Sequence, residues 1–150
     1  MKLISLLLTA STVLLFSCGN NNAPAKSAEQ TLSDSLFDQV MDGHNVGMAK
    51  MPKLTDAKKK AQIIIDSIQK LPAKAQQAAA PLLTQIDSLK KQLDYAEFAM
   101  NKWMDEINID SANNDLKKRI QYLTDEKDKV NKVKTAILAS LQKADSLLKR

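Results

Sequence analysis

Apolar residues recur along the second half of this chain at the spacing of long, packed helices. In one run, successive apolar positions are separated alternately by four and three residues: Leu82, Ile86, Leu89, Leu93, Ala96, Met100, Trp103 and Ile107. A second run repeats this spacing, with Lys127 at one core-register position: Leu116, Ile120, Leu123, Val130, Val133, Ile137, Leu141, Ala144 and Leu148. Such alternation keeps an apolar stripe on one side of a helix. The runs therefore predict two long helices joined by a turn over residues 108–114.

The first half of the chain carries two shorter apolar stripes, which Pro52 divides. The first comprises Leu32, Leu36, Phe37, Val40, Met41, His44, Met48 and Met51, and the second comprises Ala57, Ala61, Ile64, Ile68 and Leu71. If Pro52 only bends one helix, residues 30–71, 73–108 and 114–149 form three helices of similar length. If the chain turns at residues 51–55, four unequal helices result.

Matched helices bury more of their apolar stripes, so the three-helix arrangement is favoured. Glycine and proline are scarce, with 3 and 4 residues in the whole chain, as expected of long helices. We predict an all-α fold, an antiparallel bundle of three long helices with the first kinked near Pro52. A four-helix bundle is the alternative.

The N-terminus has the order of an export signal. Lys2 precedes an apolar run at residues 3–16, which is followed by the small Ser17 and by Cys18, the only cysteine. This run is shorter than the roughly 20 residues of a transmembrane helix. Residues 15–18, Leu-Phe-Ser-Cys, resemble the lipobox of bacterial lipoproteins. The resemblance implies cleavage before Cys18 and attachment of lipid to its thiol.

These features predict the domain organisation and the location of the protein. We expect a signal peptide at residues 1–17, the lipidated Cys18 and a flexible tether at 18–29, and the bundle at 30–150. The anchor would hold the chain on a membrane facing the periplasm, and Gly19 favours the outer membrane by analogy with enteric bacteria. The net charge of +5 comes largely from dispersed lysines, and an exported protein does not meet the genome. We therefore expect no nucleic-acid partner.

The only histidine lies within a methionine-rich stripe, which is the main candidate for chemistry. Met41, His44, Met48 and Met51 occupy positions i, i+3, i+7 and i+10 of one helix, so three of them could converge on a soft ion. Thioethers favour Cu(I), and imidazole accepts either copper state. Core packing is the simpler interpretation, because methionine fills irregular gaps in helical cores.

Other residues bear on the same region. Gly43 and Gly47 flank His44 and would let a neighbouring helix or a ligand approach closely. Met100 and Met104 are candidate partners if the histidine ligates haem, although the chain has no Cys-x-x-Cys-His motif. Trp103 lies in the apolar stripe, so we expect it to be buried with a partner for its indole N–H.

A resemblance to a family rests on two short motifs, His44-x-x-x-Met48-x-Lys50-Met51 and Met100-x-x-Trp103-Met104. They resemble a family of small helical bacterial lipoproteins that often carry the label "viral A-type inclusion protein", which reflects coiled-coil composition. Members typically read His-Asp-Glu-Val-Met-Pro-Lys-Met at the first motif. This chain departs at residues 45–47 and 49, Asn-Val-Gly and Ala, and so lacks two acids and a proline. The resemblance implies no known activity.

The function expected from the sequence is non-enzymatic. The single histidine and single cysteine are accompanied by no glycine-rich loop and no paired-carboxylate signature. We predict a helical interaction or scaffold module, without a cofactor, that binds an envelope protein or polymer through exposed helix faces. The alternative is a periplasmic Cu(I)-binding protein that uses His44, Met41, Met48 and Met51.

Overall fold

The computed structural model describes residues 26–148, which form four helical segments. The segments are α1 (Ala28–Met48), α2 (Met51–Gln69), α3 (Ala73–Glu106) and α4 (Leu116–Leu148). The described residues contain no strand, and the predicted all-α class is confirmed.

The expected signal peptide at 1–17, Cys18 and the tether as far as residue 25 lie outside the described residues. The helical part begins at Ala28, two residues before the expected start of the bundle, because the Ser27 Oγ accepts a hydrogen bond from the Gln30 N–H. Between residues 26 and 148, no helix combines the length and the apolar character that crossing a membrane requires.

Helices α1 and α2 form the two arms of one bent helix. At the junction, Ala49 and Lys50 keep right-handed helical torsions, with φ of −60° and −100°. The Lys50 N–H donates to the Gly47 carbonyl at 2.9 Å. This acceptor is three residues back along the chain, whereas in an α-helix it is four residues back. Pro52 has no N–H to donate to the carbonyl four residues before it. The bend falls just ahead of Pro52, and the prediction of three long helices with the first kinked is confirmed.

Two glycines allow α1 to lie almost directly on its neighbours. A Cβ atom at Gly43 would stand 2.9 Å from Val130 Cγ1, and one at Gly47 would stand 2.3 Å from Met100 Cε and 3.4 Å from Ile137 Cδ1. The predicted close approach is therefore confirmed. Because residues 43 and 47 of α1 meet residues 130 and 137 of α4 in that order, these two helices run in the same direction.

The glycines also determine which face of α1 is buried. The buried positions are Ser33, Leu36, Val40, Gly43 and Gly47. The sequence pattern includes His44 in the apolar stripe of this helix, but the buried face does not contain it. The helix is rotated so that its smallest side chains face α4, and His44 lies half-buried at the edge of that contact.

Helix α3 runs antiparallel to α1 and α4 and supplies the centre of the core. Its buried residues are Ile86, Leu89, Leu93, Ala96, Met100 and Trp103, as the apolar stripe predicted. The stripe is more exposed at its two ends, Leu82 and Ile107. Pro81 lies inside the helix without ending it, as expected. Helix α2 packs against both α3 and α4, which completes the antiparallel bundle.

The register of α4 differs from the sequence prediction at one position. The buried residues of α4 are Leu123, Glu126, Val130, Ile137, Ser140 and Ala144. Lys127 was expected to fill a core position, and this was wrong, since Glu126 is buried there instead. A carboxylate can occupy this position because Trp103 and Lys129 both donate hydrogen bonds to it.

An ion-pair cluster links α2 to α3 outside the core. Lys58 Nζ lies 2.7 Å from Asp94 Oδ1 and also contacts Glu97, while Lys90 Nζ lies 3.1 Å from Asp94 Oδ2. The hydrogen bonds that Lys58 donates to Asp94 and to Glu97 raise the pKa of Lys58, and the bond accepted from Lys58 lowers the pKa of Asp94. These groups are partly exposed, so each pair contributes at most about 1 kcal/mol.

The close contact at Gly43 generates a stability prediction. Gly43→Ala should lower the free energy of unfolding by up to about 2 kcal/mol, because overpacking a core costs about 1–3 kcal/mol and the higher helix propensity of alanine offsets about 1 kcal/mol of it. The branched Val130 side chain has one strongly preferred rotamer in a helix, which limits how far it can give way. Urea denaturation of the purified protein checks this. The neighbouring exposed substitution Asp42→Ala is the control and should change stability by less than about 0.5 kcal/mol. A stabilised Gly43→Ala protein would contradict the packing described.

Candidate functional site

The histidine lies at a contact between α1 and the C-terminal part of α3. His44 Nε2 stands 3.4 Å from Met104 Sδ, across 60 residues of sequence. The imidazole also lies beside the Trp103 indole, with ring centroids 5.6 Å apart and an interplanar angle of 36°. One imidazole, one thioether and one indole therefore meet where the two helices cross.

The two nitrogens of His44 both face atoms that carry no hydrogen. Nδ1 lies 3.2 Å from Asn45 Oδ1, and Nε2 faces the Met104 sulfur. A neutral imidazole has a single N–H, so it can donate to only one of them. An amide oxygen is a better acceptor than a thioether, which favours the tautomer protonated on Nδ1. In that tautomer the lone pair of Nε2 faces Met104 Sδ, whereas in the other tautomer Nε2–H donates a hydrogen bond to the sulfur.

Trp103 is held in place from the opposite side by α4. Its indole Nε1–H donates to Glu126 Oε2 at 2.9 Å, and Lys129 Nζ donates to Glu126 Oε1 at 2.7 Å. The hydrogen bond to Glu126 raises the pKa of Lys129. Trp103 is only 5% exposed and Glu126 only 3%, so the expected burial and indole partner are confirmed. No local pattern in the sequence identifies Glu126 as this partner, since it lies 23 residues from Trp103 along the chain.

The residues predicted to hold a soft metal are placed unequally around His44. Met48 lies one helical turn after His44 and packs against the core, and Met41 lies one turn before it. Met51 is the first residue of α2, so the bend separates it from the other three. Met104, which the sequence suggested only as a haem partner, makes the direct contact with His44.

Haem ligation does not fit this arrangement. The iron would need the nitrogen and the sulfur on opposite faces of a porphyrin, whereas the two atoms touch and leave no gap for the ring. Within residues 26–148, no group of three or more His, Cys, Asp or Glu side chains is placed to bind a metal ion. The side chains that could bind a metal ion here are therefore the His44 imidazole and the thioethers near it.

A second feature is a groove of about 640 Å³ between α3 and α4. Its lining includes Ser88, Lys91 and Tyr95 from α3, and Ala136, Ala139 and Ser140 from α4. Tyr95 is 62% exposed, and Phe98, one turn further along α3, is 61% exposed. Both aromatic rings are exposed. The groove thus has small side chains on its α4 wall and a mostly polar α3 wall on which Tyr95 is the aromatic residue, while Phe98 lies one turn beyond Tyr95.

The motifs that suggested a lipoprotein family meet in the fold. Met100 and Trp103 belong to the main core, and Met48, Met51 and Met104 pack against it. No family model, curated protein or solved structure gives a significant match to the chain. Membership of that family stays a prediction.

The buried Glu126 generates a prediction about stability. Glu126→Ala should lower the free energy of unfolding by about 1–3 kcal/mol, because the indole N–H loses its acceptor in the core. Glu126→Gln retains an amide oxygen for the indole and should cost less than Glu126→Ala. Thermal and urea melts followed by circular dichroism check this, with Lys127→Ala as the matched neighbour that should change stability little. Equal stability of the Glu126→Ala and native proteins would show that the buried bond does not stabilise the bundle.

Proposed function

We propose that this chain is a lipid-anchored protein of the cell envelope that binds a partner protein and catalyses no reaction. The observation that carries the proposal is the exposed pair Tyr95 and Phe98, beside a groove whose other wall is made of small side chains. Aromatic residues are enriched at protein interfaces, where they bury a large area at a low cost in conformational entropy.

The shape of the groove favours an α-helix as the bound element. It runs between two antiparallel helices, and Ala136, Ala139 and Ser140 allow another backbone to approach closely. A helix laid there would pack as one more member of the bundle, with apolar residues at i, i+3, i+4 and i+7 meeting the aromatic rings. The inferred partner element is therefore an amphipathic helix.

The charges beside the aromatic pair specify the partner further. Lys91 lies one turn before Tyr95, and Lys102 lies one turn after Phe98, so lysines stand on both sides of the two rings along α3. Asp87, one turn before Lys91, is the acidic residue on this wall. Lys143 lies near the opposite wall, where its Nζ is 3.4 Å from Ser88 Oγ. Complementary charges steer association and set the register of an interface. We infer a partner helix whose apolar stripe is flanked by Asp or Glu.

The proposed anchor would position this groove near the membrane. Nine residues separate Cys18 from Ala28, and an extended chain of that length spans at most about 30 Å. Because α1 starts at the same end of the bundle as the α3–α4 turn, that end would face the membrane. Tyr95 lies eleven residues before Glu106, or about 16 Å along α3 from that end. A partner within the envelope would therefore be in reach.

The anchor is tested by removing the thiol. Cys18→Ala should abolish metabolic labelling with palmitate and prevent cleavage of the signal segment, because no sulfur remains to accept the lipid. Fractionation and gel mobility of the protein in a lipoprotein-processing bacterium measure both effects. Labelling that persists in the Cys18→Ala protein would end the proposal of a lipid anchor at this residue.

The groove is tested by photo-crosslinking in the native envelope. A benzophenone amino acid at position 95 or 98 should give one discrete adduct with another protein, because Tyr95 lines the groove and Phe98 lies one turn further along α3. The same probe at Ile63, which is 63% exposed on α2, is the matched control and should give no such adduct.

A second change separates groove binding from chance contact. Ala139→Trp fills the small-residue wall and should abolish the adduct from position 95 while leaving the helical content unchanged. Mass spectrometry of the adduct should place the crosslink on a helix with acidic flanks. An adduct that survives Ala139→Trp, or equal labelling from positions 95 and 63, would contradict binding in the groove.

A further inference from the structure

We propose that His44 and Met104, together with Met48, form a binding site for Cu(I) where α1 crosses α3. This goes beyond the interaction function and does not depend on it, because the site and the groove use different residues. The pair of ligands from two helices is not apparent in the sequence, where His44 and Met104 are 60 residues apart.

The lone pairs of His44 Nε2 and Met104 Sδ point to a site for a cation that both atoms would bind. With its proton on Nδ1 toward Asn45 Oδ1, the neutral imidazole presents a lone pair at Nε2. Met104 Sδ presents lone pairs to the same space at 3.4 Å. In this tautomer a cation bound by Nε2 and Sδ would take the place that an N–H···S hydrogen bond takes in the other tautomer.

The separation of the two atoms suits bonds to one metal ion. Metal–imidazole and metal–sulfur bonds are about 2.0 and 2.3 Å long, taking those of zinc as the measure. With Nε2 and Sδ 3.4 Å apart, an ion bonded to both at these lengths would have an N–metal–S angle of about 105°. This angle leaves room for at least one more ligand around the ion.

Met48 is the candidate for the third ligand. It lies four residues after His44 in α1, on the same side of the helix, and is half-buried against the core. Gly47, between them, brings α1 close to Met100 of α3.

The donor set selects the ion. Two thioethers and one imidazole are soft, neutral ligands, and thioethers prefer Cu(I) over the harder divalent ions. Zinc prefers thiolate, imidazole and carboxylate ligands. The Trp103 ring beside His44 adds an electron-rich face, and its hydrogen bond to the Glu126 carboxylate increases the electron density of the indole. A monovalent soft cation therefore fits best.

A fluorescence titration tests the site, because Trp103 is the only tryptophan in the chain. All proteins are the full chain in non-ionic detergent and carry Cys18→Ser, so that no thiolate competes for the metal. Cu(I) is added under reducing, oxygen-free conditions in competition with a colorimetric Cu(I) chelator. We expect Trp103 emission to change and to saturate at one equivalent of Cu(I).

The ligands are assigned by near-isosteric variants whose helical content is first confirmed by circular dichroism. His44→Gln, Met104→Leu and Met48→Leu should each weaken Cu(I) binding at least about tenfold, since loss of even an outer-shell partner of a metal ligand typically costs about 10–100-fold. Met51→Leu and Met41→Leu are the matched controls and should leave the affinity unchanged.

Three results would overturn the proposal. One is the absence of a saturable change in Trp103 emission when Cu(I) is added to the protein with its native His44, Met48 and Met104. Another is native Cu(I) affinity in the folded His44→Gln or Met104→Leu protein. The third is Zn(II) binding as tight as Cu(I) binding in the same assay. Loss of Cu(I) binding in these variants, with normal crosslinking through the groove, would separate this site from the interaction function.

Discussion

The contact of α1 with α4 and α3 at two glycines determines much of the rest of the structure. At Gly43 and Gly47 the backbone of α1 comes so close to Val130 and Met100 that a single added carbon would collide with them. This closeness requires the glycine-bearing side of α1 to face α4. His44 is consequently turned to the edge of the interface, where it meets α3. The bend at residues 49–50 then carries α2 across α3 and α4.

A chain of polar contacts follows from that placement. Met104 and Trp103 of α3 flank His44, and Trp103 in turn donates to the buried Glu126 of α4. The three long helices are thus joined by polar side chains at one level of the bundle. Each such group is costly to bury without its partner, so the contacts favour one rotation of each helix over others. The groove that Tyr95 lines is on another side of α3 and shares no residue with these polar contacts.

The sequence predicted the features that depend on local spacing. The alternation of three and four residues identified the buried side of α3 from Ile86 to Trp103. Pro52 identified the bend because proline cannot donate a hydrogen bond to the carbonyl four residues before it. The two glycines indicated close approach because they lack a side chain. Each of these inferences needs only residues that are neighbours along one helix.

The features that depend on how two helices are rotated were not predictable in this way. Glu126 rather than Lys127 is buried because an indole from α3 lies opposite, and no local pattern in α4 reports that indole. Likewise, Met41, Met48 and Met51 share the histidine's stripe in sequence, yet Met104 makes the contact. The choice is made by the rotation of α1, which the packing at Gly43 and Gly47 sets.

The central claim about His44 is that its Nε2 carries a lone pair directed at Met104. Because the chain has one histidine, a long-range proton–nitrogen NMR correlation spectrum of the ¹⁵N-labelled protein reports its tautomer without ambiguity. Measured at about pH 8 without metal, the account predicts a protonated Nδ1, an unprotonated Nε2 and nuclear Overhauser contact between the imidazole and the Met104 methyl group. A neutral ring protonated at Nε2, or no contact with that methyl group, would contradict it.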